Sequence, residues 1–237
     1  MNLEDENMKK IEFVVSIIVV LFCTIIGSYG IITAPESDQA ELEQELTRNE
    51  QALLQANSTP GVPGQPEQVS VPPEQSSTPT EDPEEMICVI GDSVFLGAAP
   101  SFQKLQNHVV IDAKVSRQVY QGLDVAKKLD KKNKLGDTVI ISLGTNGKFN
   151  PATGQELIDY LGADRTIFWV NAYGKELDFQ KEVNQTIRKM VKENSNVHLI
   201  PWAEEAKKHP DWFYQDGIHL NTKGQDGFAQ FIKKEIQ

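Results

Sequence analysis

The chain has 237 residues, enough for one or two domains, and carries a net charge of −11. The charge is uneven, because three basic and sixteen acidic residues precede Met86, whereas twenty basic and eighteen acidic residues occur from Met86 onward. The near-neutral C-terminal part excludes the basic surface expected of a nucleic-acid-binding protein. Cys23 and Cys88 fall in different predicted regions, so we expect no disulfide to hold the fold together.

An apolar segment close to the N-terminus predicts an anchor in the lipid bilayer. Phe13–Ile32 contains no charged residue and is long enough to cross a bilayer as a helix. Two lysines precede this segment, whereas the first charged residues beyond it are acidic. The positive-inside rule therefore predicts a cytoplasmic tail over residues 1–12, a single transmembrane helix over residues 13–33 and an extracellular remainder at the cell membrane. A cleaved signal peptide is the alternative, but the best small-residue site ends at Ala34, and the proline that follows disfavours cleavage.

Residues 34–85 predict an extracellular stalk and a linker. Within Ser37–Ala56, four leucines are spaced among Glu and Gln, which favours a short helix with Ser37 as its N-cap. This apolar stripe is too brief to predict a coiled coil, so a solvated helix is the simpler expectation. Asn57–Glu85 is rich in Pro, Ser, Thr and Gln and cannot bury enough apolar surface to fold, which predicts a disordered tether.

Residues 86–237 alternate between short apolar segments and helical patterns, which predicts a folded domain. The predicted strands are Met86–Ile90, Val109–Ala113, Thr138–Leu143, Thr166–Val170 and Val197–Ile200. The predicted helices are Ala98–Gln106, Val119–Lys132, Thr153–Leu161, Phe179–Glu193, Trp202–Lys208 and Thr222–Ile236. This alternation favours an α/β fold, a three-layer α/β/α sandwich with a central parallel sheet. Thr153 and Glu156 have the spacing of a capping box at the start of the third helix.

The functional residues of such sheets gather at the carboxyl ends of the strands, and four polar residues fall there. They are Ser93, Ser116, Asn146 and Asn171. Ser93 follows the first buried strand and the turn residues Gly-Asp. A serine hydroxyl where a strand meets a helix is exposed on a fixed backbone, which makes Ser93 a candidate nucleophile. A serine that only caps the helix or closes the turn is the alternative.

A serine nucleophile needs a base within hydrogen-bond reach, and His219 is the strongest candidate. Asp216 lies three residues before it, where a carboxylate could hold Nδ1 of the imidazole so that Nε2 faces the serine. The other histidines, His108, His198 and His209, flank strands or lie at a charged helix end, and we expect them at the surface. Asp-Gly is also a turn signal, so a purely structural turn is the alternative.

Acyl transfer would also need hydrogen-bond donors for the negative charge that develops on the reacting carbonyl oxygen. The backbone N–H of Ser93 is one such donor, and the side-chain amide of Asn146 is another. Asn146 lies between Gly144 and Gly147, which allow a close approach of the backbone. A turn asparagine without a role in catalysis is the alternative.

These blocks resemble the SGNH, or GDSL-type, hydrolase family over nearly all of residues 86–237. The family has a Ser after the first strand, a Gly after the second, an Asn after the third and a C-terminal Asp-x-x-His. Here the matching pieces are Gly91-Asp92-Ser93, Val115-Ser116-Arg117-Gln118, Gly144-Thr145-Asn146 and Asp216-x-x-His219. The resemblance implies that the catalytic residues are Ser93, Asp216 and His219, and that the oxyanion hole is formed by Ser93, Ser116 and Asn146. Ser116 departs from the usual glycine, although its backbone N–H survives the change.

Several pieces are similar to the extracellular catalytic domain of Gram-positive peptidoglycan O-acetyltransferases. They are Gly-Asp-Ser-Val, Asp-Ala-Lys-Val-Ser-Arg-Gln, Gly-Thr-Asn-Gly and Asp-Gly-Ile-His-Leu. Such proteins usually carry a many-span membrane acyltransferase half in the same chain, whereas a single span is predicted here. The resemblance therefore implies a separate multi-span membrane acyltransferase that delivers acetyl groups. It implies no metal and no organic cofactor.

Three functions follow as expectations. The first is a membrane-anchored serine enzyme acting on O-acetyl groups of cell-wall glycan (peptidoglycan or a related polysaccharide), as an O-acetyltransferase or, with water as acceptor, as a carbohydrate O-acetyl esterase. The second is a degenerate glycan-binding module, in which sugar rings would stack on Trp169, Trp202, Trp212, Phe213 and Tyr214. The third, a general lipase, is disfavoured because no large apolar segment flanks the site.

Overall fold

A computed structural model describes residues 38–58 and 86–237. The predicted cytoplasmic tail, the predicted transmembrane helix and most of the predicted linker lie outside these residues. In the two described ranges, no helix is both long and apolar enough to cross a membrane. The chain divides into two compact units, Met1–Glu41 and Leu42–Gln237. Only the helical residues 38–41 of the first unit are described.

A five-stranded parallel sheet forms the centre of the second unit, in the order β2-β1-β3-β4-β5. Its strands are β1 (Ile87–Gly91), β2 (Val109–Ala113), β3 (Thr138–Ser142), β4 (Thr166–Val170) and β5 (Val197–Ile200). The register places Ile90 beside Asp112 of β2 and Ile141 of β3. Every residue of β3 is buried, as expected for a central strand that is covered on both faces. The predicted strands are confirmed, with ends that differ by one residue at most.

Helices cover both faces of this sheet. They are α1 (Asp38–Ser58), α2 (Ser93–Leu105), α3 (Gly122–Asp130), α4 (Pro151–Leu161), α5 (Gln180–Glu193), α6 (Trp202–Ala206) and α7 (Thr222–Glu235), with 3-10 helices at Val119–Gln121 and Pro210–Trp212. On one face, Val89 shares a core with Phe95 of α2 and Phe228 of α7. On the other face, Ile90 shares a core with side chains of α3, α4 and α5. The parallel sheet with flanking helices that the sequence predicts is therefore confirmed.

Helix α2 begins immediately after β1, earlier than the sequence predicts. The Asp92 carboxylate accepts the backbone N–H of Val94 at 3.0 Å and so caps the helix. A Cβ on Gly91 would lie 2.8 Å from Cβ of Phe95, so this tight passage from strand to helix requires glycine. The turn makes Ser93 the first residue of the helix.

Helix α4 also begins earlier than predicted. It starts at Pro151, and the side chain of Asn150 caps it. Proline is favoured at the first helical position because the N–H that it lacks has no partner there in any case. The predicted capping box of Thr153 and Glu156 is therefore wrong, since both residues lie inside the helix.

Helix α1 confirms the predicted helical segment but differs from the solvated stalk that we expected. Leu42, Leu46 and Leu53 are buried, with 8%, 6% and 5% of their surfaces exposed. They belong to the same core as α2 and α7. Leu54, by contrast, remains 54% exposed. The leucine stripe of α1 is thus covered by the sheet-containing unit rather than by solvent.

The strand order determines where a site can form. Strands β1 and β3 are neighbours, but the helices that follow them, α2 and α4, pack on opposite faces of the sheet. The chain therefore leaves these two strands toward opposite faces of the sheet, and open α/β sheets bind their ligands at the carboxyl ends of such strands. Ser93 follows β1, and Asn146 follows β3.

Candidate active site

The hydroxyl of Ser93 faces the imidazole of His219 at the carboxyl edge of the sheet. Ser93 is 4% exposed, and its Oγ lies 2.9 Å from Nε2 of His219. The two residues are 126 positions apart in the sequence, so only the fold brings them together. At this distance, a neutral imidazole can accept the hydroxyl proton.

Asp216 extends this contact into a series of three side chains. Its Oδ2 lies 2.6 Å from Nδ1 of His219, and its Oδ1 accepts the backbone N–H groups of Ile218 and His219 at 2.9 and 3.0 Å. Burial by itself raises the pKa of the Asp216 carboxyl, but the hydrogen bonds from His219 and Ile218 outweigh it and hold the pKa below its usual range. The ionised carboxylate keeps the proton on Nδ1, which leaves Nε2 as the acceptor for the serine.

The loop that carries this pair is shaped by Gly217. Its φ is +65°, and a Cβ there would lie 2.6 Å from Cβ of Lys175. Both conditions favour glycine. The backbone N–H of Tyr214 then donates to the carbonyl of His219 at 2.9 Å, which closes the loop and orients the imidazole toward α2.

The predicted oxyanion residues Ser116 and Asn146 follow the two strands that flank β1. Nδ2 of Asn146 donates to the carbonyl oxygen of Arg117 at 3.3 Å, directly beside Ser116. Ser116 has a φ of +59°, in the left-handed region that favours the glycine usual in the family. The loops after β2 and β3 are therefore joined at the edge of the sheet where Ser93 lies.

A buried ion pair holds the Ser116 loop in place. Arg117 donates to the carbonyl of Gly91 at 3.0 Å and to Oδ1 of Asp112 at 2.6 Å, and its guanidinium also donates to the Asp112 carbonyl. Burial raises the pKa of Asp112, but Arg117 and Lys128 together lower it below its usual value. This pair was not predicted from the sequence, in which its only signal is an acid in β2 followed by an arginine five residues later.

A second buried contact joins the Ser93 turn to the Asn146 loop. The hydroxyl of Thr145 donates to Oδ2 of Asp92 at 2.6 Å. Burial raises the pKa of Asp92, although the hydrogen bonds from Thr145 and Val94 oppose this shift. Asp92 therefore acts as a hydrogen-bond acceptor between two loops.

Asn171 falls at a strand end as predicted, but the structure gives it other partners. Its Oδ1 accepts the backbone N–H of Ala203 at 2.6 Å, and its Nδ2 donates to Glu204 at 2.8 Å. Asn171 thus ties the end of β4 to α6. It has no part in the contact between Ser93 and His219.

The three remaining histidines lie away from this contact. His108 and His198 are exposed, and His209 is half-buried with its ring 3.7 Å from that of Trp212, centroid to centroid. In residues 38–58 and 86–237, no group of three or more His, Cys, Asp or Glu side chains is arranged to hold a metal ion.

Two of the aromatic side chains considered for sugar stacking are in the core. Trp169 is 0% exposed and Trp202 is 2% exposed, so neither can meet a glycan. Trp212, Phe213 and Tyr214 are half-buried and pack against the core that contains α2 and α7. By contrast, Tyr120, which was not predicted to bind sugar, is 62% exposed and lies four residues beyond Ser116.

Comparison with known proteins identifies relatives of this domain. No protein-family model matches the chain. YrhL of Bacillus subtilis, named provisionally as a peptidoglycan O-acetyltransferase, is 33% identical over 164 residues, which are 69% of this chain and 25% of YrhL. O-acetyltransferase OatA of Staphylococcus aureus is 32% identical over 150 residues, which are 63% of this chain and 24% of OatA. The chain thus matches about a quarter of the length of these curated relatives.

Solved structures share the fold. The C-terminal catalytic domain of Streptococcus pneumoniae peptidoglycan O-acetyltransferase A, solved with a methylsulfonyl adduct, superposes with a TM-score of 0.58 at 22% identity, over 65% of this chain and 93% of that domain. A family 3 carbohydrate esterase from Clostridium thermocellum superposes with a TM-score of 0.52 at 19% identity, over 64% of this chain and 94% of the esterase. The domain therefore has the fold of these two enzymes.

The predicted resemblance to SGNH, or GDSL-type, hydrolases is therefore confirmed. The curated relatives and the structural neighbours together support the expectation of an SGNH-type acetyltransferase or esterase. The blocks that carried the resemblance in the sequence all lie at the carboxyl edge of the parallel sheet.

Proposed function

We propose that this SGNH domain is a serine acyl-transfer enzyme that acts on O-acetyl groups of cell-wall glycan, with O-acetyl transfer as its reaction. The observation that carries the proposal is the continuous series of contacts from Ser93 through His219 to Asp216. A hydroxyl, an imidazole and an ionised carboxylate in this order activate a serine for attack on an ester carbonyl. The names of the curated relatives support acetyl as the acyl group.

In the first half-reaction, Oγ of Ser93 attacks the carbonyl carbon of the acetyl donor while Nε2 of His219 takes the hydroxyl proton. Asp216 stabilises the imidazolium that forms. The oxyanion accepts hydrogen bonds from the backbone N–H groups of Ser93 and Ser116 and from the side-chain amide of Asn146. His219 then gives the proton to the leaving oxygen, and acetyl-Ser93 remains.

In the second half-reaction, a hydroxyl of the glycan attacks acetyl-Ser93 while His219 again acts as the base. His219 then returns the proton to Oγ of Ser93 as the bond from Oγ to the acetyl group breaks, so the products are an O-acetylated sugar and free Ser93. If water attacks instead, the product is acetate, and the same residues perform the reaction of an acetyl esterase. The structural likeness to a carbohydrate esterase favours this second candidate, which differs from the first in how well the site excludes water.

The cellular setting is part of the same proposal. The apolar segment Phe13–Ile32 and the two lysines before it support an anchor over residues 13–33, with the SGNH domain outside the cell. In this setting, a separate multi-span membrane acyltransferase would supply the acetyl groups.

The test uses the full chain in detergent micelles with an aryl acetate as donor and chitin oligomers as acceptors. Mass spectrometry counts acetyl groups added to the oligomers, and free acetate is assayed in parallel. Ser93→Ala should lower both products by about 10⁴-fold or more, because the nucleophile is lost. Ser101→Ala is the matched control, since Ser101 lies on the same helix and donates to Asp226 instead of meeting His219.

The products separate the candidate functions. Acetylated oligomers that disappear in Ser93→Ala support the transferase. Acetate alone, formed faster from acetylated wall glycan than from the aryl ester, supports the esterase. Equal glycan binding by the wild type and Ser93→Ala, with turnover by neither, would mean a degenerate binding module and would overturn the proposal.

A further inference from the structure

Helix α1 packs against the helix that carries Ser93. Leu46 of α1 is buried in the core shared with α2. A Cβ on Gly97 of α2 would lie 3.8 Å from Cδ2 of Leu46 and 3.8 Å from Nε2 of Gln225. The helices therefore meet closely at the second turn of α2, one turn beyond Ser93.

A polar side chain of α1 binds the backbone of α2 at this place. Nδ2 of Asn49 donates to the carbonyl of Leu96 at 3.1 Å and to that of Gly97 at 3.4 Å. Both carbonyls lie in the first turns of the helix that begins with Ser93. The side-chain amide of Asn49 thus fixes α2 against α1, because a shift of α2 along its axis would break these hydrogen bonds.

A second polar side chain of α1 reaches the loop of His219. The Glu45 carboxylate accepts Nε2–H of Gln225 at 2.6 Å and the hydroxyl of Tyr214 at 3.3 Å. Gln225 also donates to the carbonyl of Leu220 at 3.0 Å, and the N–H of Tyr214 donates to the carbonyl of His219. Glu45 therefore contacts two residues that are themselves hydrogen-bonded to the carbonyls of Leu220 and His219.

The C-terminal end of α1 reaches the third part of the site. Nδ2 of Asn57 donates to the carbonyl of Ile111 in β2, the strand that leads to Ser116, at 2.8 Å. The ammonium groups of Lys132 and Lys134 donate to the carbonyl of Asn57. One helix thus contacts the nucleophile helix, the base-bearing loop and the strand before the oxyanion loop.

We propose that α1 is a positioning element of the active site, in which Glu45 and Asn49 hold the His219 loop and the Ser93 helix at reacting distance. The inference rests on the proposed function only in taking Ser93 and His219 as the reacting pair, and it applies equally to a transferase and an esterase. The functional unit then includes α1 and does not begin at residue 86. Neither Glu45 nor Asn49 would touch the substrate.

The first test undocks α1 in the full chain with Leu46→Asp. Gln51→Asp is the matched control, because it adds the same charge to an exposed position of the same helix. For hydrolysis of an aryl acetate well below the melting temperature, kcat of Leu46→Asp should fall about 10- to 100-fold, since a shift of about 1 Å between reacting groups costs this much. KM should change little, and Gln51→Asp should behave as the wild type.

The second test supplies α1 as a separate peptide. A synthetic peptide of residues 38–58, added to Leu46→Asp, should recover kcat in a saturable manner, whereas the same peptide with Asn49→Ala and Glu45→Ala should not. Methanesulfonyl fluoride, which bonds its sulfur to Oγ of an activated serine as fluoride leaves, should label Ser93 more slowly in Leu46→Asp. A lower melting temperature with unchanged kcat and labelling rate would mean that α1 is only a structural cover.

A third readout does not depend on turnover. Amide hydrogen exchange should rise in residues 93–97 and 214–221 of Leu46→Asp but not of Gln51→Asp, because α1 holds these segments. Unchanged exchange in both segments would overturn the positioning role even if the wild type has no activity. If the Ser93→Ala variant instead keeps the activity of the wild type, the proposed function is wrong.

Discussion

The end of the candidate site that holds Ser93 is buried, whereas the loop that carries His219 is partly open to solvent. Asp92, beside Ser93, is 1% exposed, but the side chain of Asp216 is 40% exposed. Burial raises the pKa of Asp92, while hydrogen bonds from His219 and the backbone lower that of Asp216. Two aspartates at one edge of the sheet are thus suited to different tasks, because the first holds the shape of a turn and the second keeps a charge beside an imidazole.

The largest expected effect is a difference in kcat between two variants, in which either Asp216 or Asp92 is replaced by asparagine. In Asp216→Asn, the amide favours the wrong tautomer of His219, so kcat for aryl acetate hydrolysis should fall about 10⁴-fold. In Asp92→Asn, the side-chain oxygen can still cap the N–H of Val94 and the amide can donate to the Thr145 hydroxyl, so kcat should stay within about threefold of wild type.

Steady-state kinetics of both variants, with melting temperatures measured alongside, decides this comparison. Asp92→Ala serves as a control, because losing the cap should cost about 1 kcal/mol of stability. Similar losses of kcat in Asp216→Asn and Asp92→Asn, at unchanged stability, would mean that both carboxylates act on the chemistry and that the proposed division is wrong.

The two aspartates should also contribute to stability with opposite dependence on pH. Folding lowers the pKa of Asp216, so its contribution is present above the unfolded-state pKa of about 3.9 and is lost as the pH falls through the folded-state pKa. Folding raises the pKa of Asp92, so its contribution is present below about pH 3.9 and is lost as the pH rises through its folded-state pKa.

Denaturant unfolding of the wild type and both asparagine variants, from about pH 3 to about pH 8, measures these contributions. The stability deficit of Asp216→Asn should shrink as the pH falls and should not exceed about 1 kcal/mol, because solvent screens a partly exposed pair. Asp92→Asn should gain stability relative to the wild type as the pH rises. If the free energies of unfolding of the three proteins changed in parallel with pH, the two aspartates would not have pKa values shifted in opposite directions.

The smallest effect is expected at Ser116, which lies near the buried end but on an exposed loop. Ser116→Gly keeps the backbone N–H and removes the cost of a positive φ, so kcat should stay within about threefold of wild type. Its free energy of unfolding should change by less than about 1 kcal/mol. Glycine removes the steric cost of φ +59°, but it also loses more conformational entropy on folding, and the two effects offset each other.

Ser116→Pro is the informative contrast, because proline removes the N–H and cannot adopt this φ. Its kcat should fall about 100-fold or more, as expected when an oxyanion donor is lost. An equal loss of kcat in Ser116→Gly would show that the hydroxyl, and not the backbone N–H, is the group that matters at this position.

The comparison also explains which parts of the site could be predicted. Ser93 and the Asp216–His219 pair could be predicted as candidates from the sequence because each depends on neighbours within a few residues: a buried strand before a Gly-Asp turn, and an acid three positions before a histidine. Arg117 and Thr145 were missed, because Arg117 binds the carbonyl of Gly91, 26 residues away, and Thr145 binds Asp92, 53 residues away. The start of α4 was predicted wrongly because two capping signals compete within four residues, and Asn150 before a proline is the stronger.

The sequence by itself determined the five strands, the parallel sheet with its helices and the residue types at the strand ends, because continuous apolar segments and turn residues act locally. Only the tertiary structure decided that Ser93 meets His219 across 126 residues, that Arg117 fastens the Ser116 loop, and that the leucines of α1 cover the core beside α2. An apolar stripe shows that a helix must be covered, but what covers it depends on how distant segments pack, and spacing along the chain does not encode that choice.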